Sequence, residues 1–166
     1  MKKAGKAEFN KTLFLWHKKN YRKMEWRDTH DPYRILVSEL MLQQTQVARV
    51  KEKYPEFIKK FPTVSKLATA PLGDVLRLWS GLGYNRRAKF LHQCAKQVVS
   101  EYGGKFPDTY EELVTLSGVG RSTAGALLAF AFGADTPMID TNIRRILIRV
   151  FFLGRKLPTD SELYDF

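Results

Sequence analysis

The chain has 166 residues, with 28 Lys and Arg against 17 Asp and Glu and a formal net charge of +11. This excess favours polyanionic partners, although charge alone does not separate DNA from RNA or an acidic membrane surface. No apolar run approaches the ~20 residues of a membrane-spanning helix, and the N-terminus lacks the apolar core of a secretion signal. We therefore expect a soluble intracellular protein, cytoplasmic or associated with the nucleoid. The single cysteine, Cys94, excludes an internal disulfide and a multi-cysteine metal site, and its apolar helical neighbours predict a buried thiol.

Two helices are predicted in the N-terminal part of the chain. Apolar side chains recur at helical spacing in residues 9–19, which indicates an amphipathic first helix. They are Phe9, Leu13, Phe14 and Trp16. Asp31 is a favoured N-cap and Pro32 a favoured first helical residue, so a second helix should begin there. Its inward positions would be Ile35, Leu36, Leu40 and Met41.

The remaining pattern is also helical. Further helices are predicted over about residues 46–60, 64–69, 72–78, 85–102, 109–116, 121–132 and 141–152. Asp108 with Glu111, and Thr159 with Glu162, have the spacing of capping boxes. No segment shows the alternation of a half-buried strand, so the fold class is predicted to be all-α.

The run from Leu116 to Gly125 predicts a helix, a glycine hairpin and a second helix. Gly118 and Gly120 would allow positive φ or close backbone approach, and the amides that open the second helix would form an anion site suited to a DNA phosphate. The alternative is an ordinary turn between helices with a glycine C-cap, because short glycine patterns recur widely. The spacing to Asp140, nineteen residues after Arg121, favours the first interpretation.

Several further motifs follow one another along the chain: Trp26-Arg27, Asp31-Pro32-Tyr33, the segment from Val37 to Val47, Gly81-Leu82-Gly83-Tyr84, and Asp140-Thr141-Asn142. Together with the hairpin at about residues 109–132, they resemble the helix-hairpin-helix (HhH-GPD) DNA glycosylase superfamily from about Trp26 to Phe152. Within it the chain is most similar to adenine DNA glycosylases of the MutY type. The resemblance implies an endonuclease III-like fold of two helical lobes with the active-site cleft between them.

The implied activity is base excision repair, in which the N-glycosidic bond of adenine paired with guanine or 8-oxoguanine is hydrolysed. Such a reaction passes through an oxocarbenium-like state that needs an acid and a stabilising anion. Glu39 matches the family's acid, Asp140 the anion, and Asn142 the adjacent asparagine, although Thr141 stands where the family usually has glycine. From the residues alone, Glu39 could instead be a helix carboxylate paired with Arg34 or Arg87, and Asp140 a plain N-cap.

Ser122 stands where bifunctional relatives carry a lysine, and a hydroxyl cannot form a Schiff base, so a monofunctional enzyme without strong strand-nicking activity is expected. Gln44 and Tyr84 match residues that fill the space left by the flipped base. The alternatives are a solvent-facing helix end for the glutamines, packing on Trp79 for Tyr84, and a solvated basic face for the arginines. DNA contacts are predicted at Gln43, Gln44, Thr45, Tyr84, Arg86, Arg87, Gly118, Val119, Gly120, Arg121 and Ser122.

The expected partner is double-stranded DNA with a flipped mismatched base, bound by a monomer. Family hairpins hold a monovalent cation on backbone carbonyls, here those of Val114, Leu116 and Val119. Residues 1–166 are expected to be the catalytic region, truncated at its C-terminus, with no cofactor of its own. A [4Fe-4S] cluster would belong only to a longer protein. The alternative functions are a thymine-mismatch or oxidised-pyrimidine glycosylase of the same fold, and a non-catalytic DNA-binding fragment.

Overall fold

The computed structural model describes residues 3–154 and 156–166. These residues contain helices and no β-strand, which confirms the all-α prediction. The helices are α1 (Lys3–Asn20), α2 (Pro32–Leu42), α3 (Val47–Lys60), α4 (Val64–Ala68), α5 (Leu72–Trp79), α6 (Arg86–Tyr102), α7 (Tyr110–Leu113), α8 (Arg121–Ala131), α9 (Thr141–Phe151) and α10 (Asp160–Tyr164). Within this described part, no helix has the length and apolar character needed to cross a bilayer.

The described residues form two compact units. The larger unit, residues 26–139, contains α2 to α8. The smaller unit combines the N-terminal residues up to Glu25 with Asp140 and the residues that follow it, and it contains α1, α9 and α10.

Helix α2 is the most buried element of the larger unit. It begins where the sequence predicted, because the Asp31 carboxylate accepts a hydrogen bond of 2.9 Å from the Tyr33 amide and Pro32 occupies the first turn. It packs against α3, α6 and α8. Burying each large apolar side chain contributes about 1.5–3 kcal/mol. Those that α2 buries are Tyr33, Ile35, Leu36, Val37, Leu40 and Met41.

Helix α8 lies unusually close to the chain that follows it. A Cβ on Gly125 would stand 2.7 Å from the Pro137 carbonyl oxygen, a distance that no backbone can tolerate without moving. The absence of a side chain therefore allows the return segment to run along the helix.

The helix predicted at 109–116 is shorter than expected. Its regular part ends at Leu113, because the Thr115 and Leu116 amides donate to carbonyls three residues back, as in a 3₁₀ turn. The predicted capping box is also wrong by one residue. Thr109, not Asp108, is the N-cap, and its hydroxyl bonds the Glu112 carboxylate at 2.6 Å.

In the smaller unit, α1 forms as predicted but its apolar stripe does not face a core. Phe9 packs edge-on against Phe151, with ring centroids 5.1 Å apart. Leu13, Phe14 and Trp16 of the predicted apolar stripe are 46%, 72% and 61% exposed.

The same Phe151 ring belongs to an aromatic cluster with Phe152 and Phe166. The Phe166 ring lies 5.1 Å from that of Phe151 and 5.2 Å from that of Phe152. The Lys6 ammonium stands 3.5 Å above the Phe166 ring. Nearby, the predicted capping box of Thr159 and Glu162 is confirmed at the start of α10.

Cys94 provides a direct test of the larger unit's core. Its thiol is fully buried in α6, and burial raises its pKa to about 12. Because the thiolate is the reactive form, we expect a thiol reagent at pH 8 to label the folded chain very slowly and the denatured chain rapidly. Labelling followed by mass spectrometry measures this. Equal rates in folding buffer and in denaturant would contradict the predicted packing of α6.

Candidate functional site

The turn between α7 and α8 is attached to α6. Gly118 has φ +79°, and a Cβ there would lie 2.7 Å from Cβ of Phe90. The Ser117 amide donates a hydrogen bond of 2.7 Å to the side-chain oxygen of Gln97, which also lies on α6. Both the conformation and the close approach require glycine at position 118, as the sequence predicted.

Gly120 differs from Gly118. It is the N-cap of α8 with φ −93° and ψ 179°, an extended conformation open to any residue, so the expectation of positive φ at this position is wrong. A Cβ there would meet no atom within 4 Å. The amides at the start of a helix have no partner within it and lie at the positive end of the helix dipole. The backbone amides of Arg121 and Ser122 occupy this position, next to the exposed Gly120. Binding of an anion to them stays a prediction.

A groove of about 300 Å³ brings together three of the segments selected from the sequence. Gln43 and Gln44 come from the end of α2, Tyr84 and Arg86 from the start of α6, and Gly118 from the hairpin. Its walls are completed by Leu40, Arg87 and Phe90. All of these residues belong to the larger unit.

Gln44 and Tyr84 share an uncommon backbone conformation. Their φ values are +52° and +48°, and they are the only non-glycine residues in the described part of the chain with positive φ. Each costs about 1–2 kcal/mol relative to the right-handed region, so surrounding contacts must hold them. Tyr84 is 65% exposed despite its aromatic ring. Retained strain combined with an exposed ring is typical of a binding site.

Arg87 corrects the sequence interpretation. It was predicted to contact phosphate, but its side chain is only 7% exposed and its guanidinium is turned inward. Nη1 donates to the carbonyl oxygens of Leu40, Met41 and Gln43 at 2.6, 3.0 and 2.5 Å. Nη2 donates to the Leu82 and Gly83 carbonyls and to the Thr45 hydroxyl, at 2.8, 3.0 and 3.0 Å. A guanidinium occupied in this way is not available to a phosphate.

The neighbouring predicted contacts differ in exposure. Arg86 is exposed, with its guanidinium 4.9 Å from the centre of the Phe90 ring. Thr45 is half-buried, and its hydroxyl lies 3.2 Å from the Leu82 carbonyl oxygen in addition to its bond with Arg87. Contact of either residue with DNA stays a prediction.

Glu39 lies on α2, one turn before the groove residues Gln43 and Gln44. It is half-buried, between the fully buried Ser38 and Leu40. Arg34 forms an ion pair with Asp31 at 3.7 Å, and the Arg87 guanidinium donates to the carbonyls of Leu40 and Leu82. Pairing of the Glu39 carboxylate with either arginine stays an alternative.

Asp140 is an exposed carboxylate in the smaller unit. It caps α9, and its Oδ1 accepts hydrogen bonds from the amides of Asn142 and Ile143 at 2.9 and 2.7 Å. The Asn142 side-chain nitrogen lies 3.4 Å from Oδ2. The predicted N-cap is therefore confirmed. The carboxylate thus lies at the amide end of α9, and Thr141 enters the helix without disturbing this geometry.

The described residues contain no cluster of three or more His, Cys, Asp or Glu side chains that could hold a metal ion. A [4Fe-4S] cluster does not fit this chain, because it needs four thiolates and Cys94 is the single cysteine. The carbonyls of Val114, Leu116 and Val119 are hard oxygen donors of the kind that alkali cations take. The Leu116 carbonyl also accepts a hydrogen bond from the Val119 amide, which leaves one lone pair for a cation.

The family model for HhH-GPD superfamily base excision DNA repair proteins matches residues 37–165. The chain belongs to this superfamily. The match includes α2 from Val37 onward, the groove, the hairpin and the cap of α9, so the motifs from Val37 to Asn142 are parts of one family domain, whereas Trp26-Arg27 and Asp31-Pro32-Tyr33 precede the matched range.

Related sequences carry a more specific name than the HhH-GPD family does. An adenine DNA glycosylase of Mycobacterium tuberculosis is 46% identical over 138 residues, covering 82% of this chain and 45% of the relative. The adenine DNA glycosylase of Homo sapiens is 44% identical over 160 residues, covering 91% and 29%. The chain thus spans less than half the length of these curated relatives.

Solved structures give the fold. A thermostable thymine-DNA glycosylase superposes with a TM-score of 0.89 at 27% identity, covering 98% of this chain and 76% of that one. Endonuclease III, in a non-covalent complex with DNA, gives 0.80 at 22% identity, covering 96% and 75%. These similarities confirm the endonuclease III-like fold of this HhH-GPD chain.

The two hairpin glycines should respond oppositely to one substitution. Gly118→Ser introduces a side chain at positive φ against Phe90, so we expect a loss of about 2–4 kcal/mol in the free energy of unfolding. Gly120→Ser places a favoured N-cap in open space, so stability should stay within about 0.5 kcal/mol or rise. Urea unfolding of the two variants measures both values. Comparable destabilisation would mean that the hairpin is not packed on α6 as described.

Proposed function

We propose that this chain is the catalytic region of an adenine DNA glycosylase, which removes adenine paired with guanine or 8-oxoguanine from double-stranded DNA. The observation that carries the proposal is the arrangement on α2 and at its end. The half-buried carboxylate of Glu39 lies one turn before Gln44, which shares a groove with Tyr84. Relatives that are 40–46% identical over most of the chain and are named adenine DNA glycosylases favour this substrate over other bases.

The strongly positive chain would bind the sugar-phosphate backbone of the duplex and would recognise bases at the groove. Phosphates fit the exposed amide end of α8 at Gly120 and the side chain of Arg86, and these contacts set the register without reading sequence. A base flipped from the stack leaves a space that costs a few kcal/mol to open. The exposed Tyr84 ring can stack there, and the Gln44 amide can hydrogen-bond the edge of the estranged base.

A monovalent cation held by the carbonyls of Val114, Leu116 and Val119 would add positive charge beside the hairpin amides. We assign no chemical step to it. The protein would act as a monomer, and a [4Fe-4S] cluster would need thiolates supplied by sequence beyond these 166 residues.

The chemistry needs only protein groups and water. As the N-glycosidic bond breaks, its electron pair leaves with the adenine, and the Glu39 carboxyl supplies the proton that neutralises the departing base. The sugar becomes an oxocarbenium-like cation, which the carboxylate of Asp140 stabilises. Water then adds to C1′ and loses a proton to the Glu39 carboxylate, so the acid is regenerated and the strand retains an abasic site.

The two carboxylates can be tested with isosteric amides. Glu39→Gln cannot deliver a carboxylic proton and Asp140→Asn cannot stabilise a cation by its charge, so each should lower excision at least about a hundredfold. Asp140→Asn should stay folded, because Asn caps a helix as well as Asp does. Glu39→Gln should stay folded, because glutamine keeps the shape and the hydrogen-bonding capacity of the side chain. Alkaline cleavage of a labelled duplex containing adenine opposite 8-oxoguanine measures the rate.

The matched control is Asp31→Asn, the same change at the N-cap of α2, which should excise at the unmutated rate. Excision by folded Glu39→Gln at the unmutated rate would remove the acid assignment. Equal losses in Asp31→Asn and Asp140→Asn would reduce Asp140 to a structural cap.

Ser122 supports a monofunctional reaction. It is half-buried in the first turn of α8 and offers a hydroxyl where an amine would be needed to attack the sugar. Borohydride reduction during turnover should therefore trap little covalent adduct, and strand breaks should appear only after alkali. Ser122→Lys supplies the missing amine and serves as a positive control for trapping. A strong adduct formed by the unmutated chain would contradict the monofunctional assignment.

A second candidate is removal of thymine from mismatches. The observation that favours it is the TM-score of 0.89 with a thymine-DNA glycosylase. The identity to that protein is 27%, against 46% for an adenine glycosylase, so we keep adenine as the proposed base.

A further inference from the structure

The buried guanidinium of Arg87 connects two segments that are distant in sequence. One is the end of α2, where it bonds the carbonyls of Leu40, Met41 and Gln43. The other is the turn before α6, where it bonds the carbonyls of Leu82 and Gly83. Six hydrogen bonds converge on one side chain when the Thr45 hydroxyl is included.

The first set of bonds completes the C-terminus of α2. The last four carbonyls of a helix have no partner within it and lie at the negative end of its dipole. Leu40 and Met41 belong to this last turn, so Arg87 supplies from another helix the donors and the positive charge that the end of α2 lacks. The helix then stops, and Gln44 follows in the left-handed conformation.

The second set fixes the approach to Tyr84. Gly83, whose carbonyl accepts from Nη2 at 3.0 Å, directly precedes this residue. The guanidinium carbon also lies 5.6 Å from the centre of the Tyr84 ring and 5.5 Å from that of Trp79. Arg87 therefore contacts both the backbone leading to Tyr84 and the ring itself.

A lysine could not replace this arrangement. An ammonium has three donors around one atom, whereas the planar guanidinium directs donors from two nitrogens to two different segments. Here Nη1 bonds the end of α2, and Nη2 bonds the turn before α6 together with the Thr45 hydroxyl. The positive charge is bonded to neutral oxygens and buried, which indicates that its role lies in these contacts and not in attracting an anion at the surface.

We propose that Arg87 is a positioning residue that holds Gln44 and Tyr84 ready to enter a DNA duplex together. Both lie in strained left-handed conformations at one groove, and each follows directly a residue whose carbonyl Arg87 bonds. Holding the pair before binding avoids the cost of ordering two interface side chains when DNA arrives. That the ligand is duplex DNA rests on the proposed function, whereas the role of Arg87 in holding the two segments does not.

The first measurement uses the protein alone. In Arg87→Lys, amide hydrogen exchange of residues 43–45 and 82–84 should become faster than in the unmutated chain, because both segments lose anchors. Thr45→Val removes one partner of the same network and should accelerate exchange in the same segments to a smaller extent. This variant keeps the test decisive if Arg87→Lys does not fold.

The second measurement uses DNA, in a Glu39→Gln background so that no base is removed. Arg87→Lys should reduce the preference for a duplex with adenine opposite 8-oxoguanine over a fully paired duplex roughly tenfold, as expected when two interface side chains must be ordered during binding. Affinity for the fully paired duplex should change little. A control, Thr63→Ala, removes the N-cap of α4 and lowers stability without touching the groove, so its preference should stay unchanged.

Coupling to the tyrosine completes the test. In a Tyr84→Ala background, Arg87→Lys should have a much smaller effect on preference, because one of the two side chains that it holds is gone. Unchanged exchange in both Arg87→Lys and Thr45→Val would overturn the proposal. So would faster exchange with an unchanged mismatch preference, or a loss of preference that is undiminished without Tyr84.

The proposed function can fail separately from this inference. An unmutated chain that binds mismatched and paired duplexes equally would contradict the adenine glycosylase proposal. The exchange measurement would still support or overturn the holding of Gln44 and Tyr84 by Arg87.

Discussion

Burial of α2 is the constraint on which the larger unit and its groove depend. Five apolar side chains of this helix, Ile35, Leu36, Val37, Leu40 and Met41, are at most 2% exposed and pack against three other helices. With one face fixed so firmly, the rotation of the helix is set, and Glu39 and Gln43 have fixed places on the remaining surface. Helix α6 then does two things at once, since it supports the hairpin through Phe90 and Gln97 and closes the end of α2 through Arg87.

Local chemistry made much of this fold predictable. Asp31, Asp140 and Thr159 were recognised as N-caps because a short oxygen-bearing side chain before an apolar helical pattern has one common use. The need for glycine at position 118 also followed from the turn. The shift from Asp108 to Thr109 shows the limit of the approach, since both residues are good caps and the choice depends on where the helix packs.

The features that the sequence did not reveal arise from contacts between distant segments. Arg87 follows Arg86 in a basic run, and burial of an unpaired cation is costly enough that a surface position is the normal expectation. Hydrogen bonds to six oxygens of residues 40–45 and 82–83 compensate the cost of burying this cation, and no sequence spacing predicts them. The left-handed conformations of Gln44 and Tyr84 were equally hidden, because neither residue type favours positive φ. The exposure of the apolar stripe of α1 was also not predictable, since periodicity indicates an apolar face but not what covers it.

The sequence relatives are named adenine DNA glycosylases, whereas the structure with a TM-score of 0.89 is a thymine-DNA glycosylase. The identity of the base that the chain releases decides between adenine and thymine. The 166-residue chain should be incubated with duplexes containing adenine opposite 8-oxoguanine and thymine opposite guanine, and the free bases identified by mass spectrometry. The account predicts free adenine from the first duplex and negligible thymine from the second. Release of thymine, or of no base from either duplex by the folded chain, would contradict it.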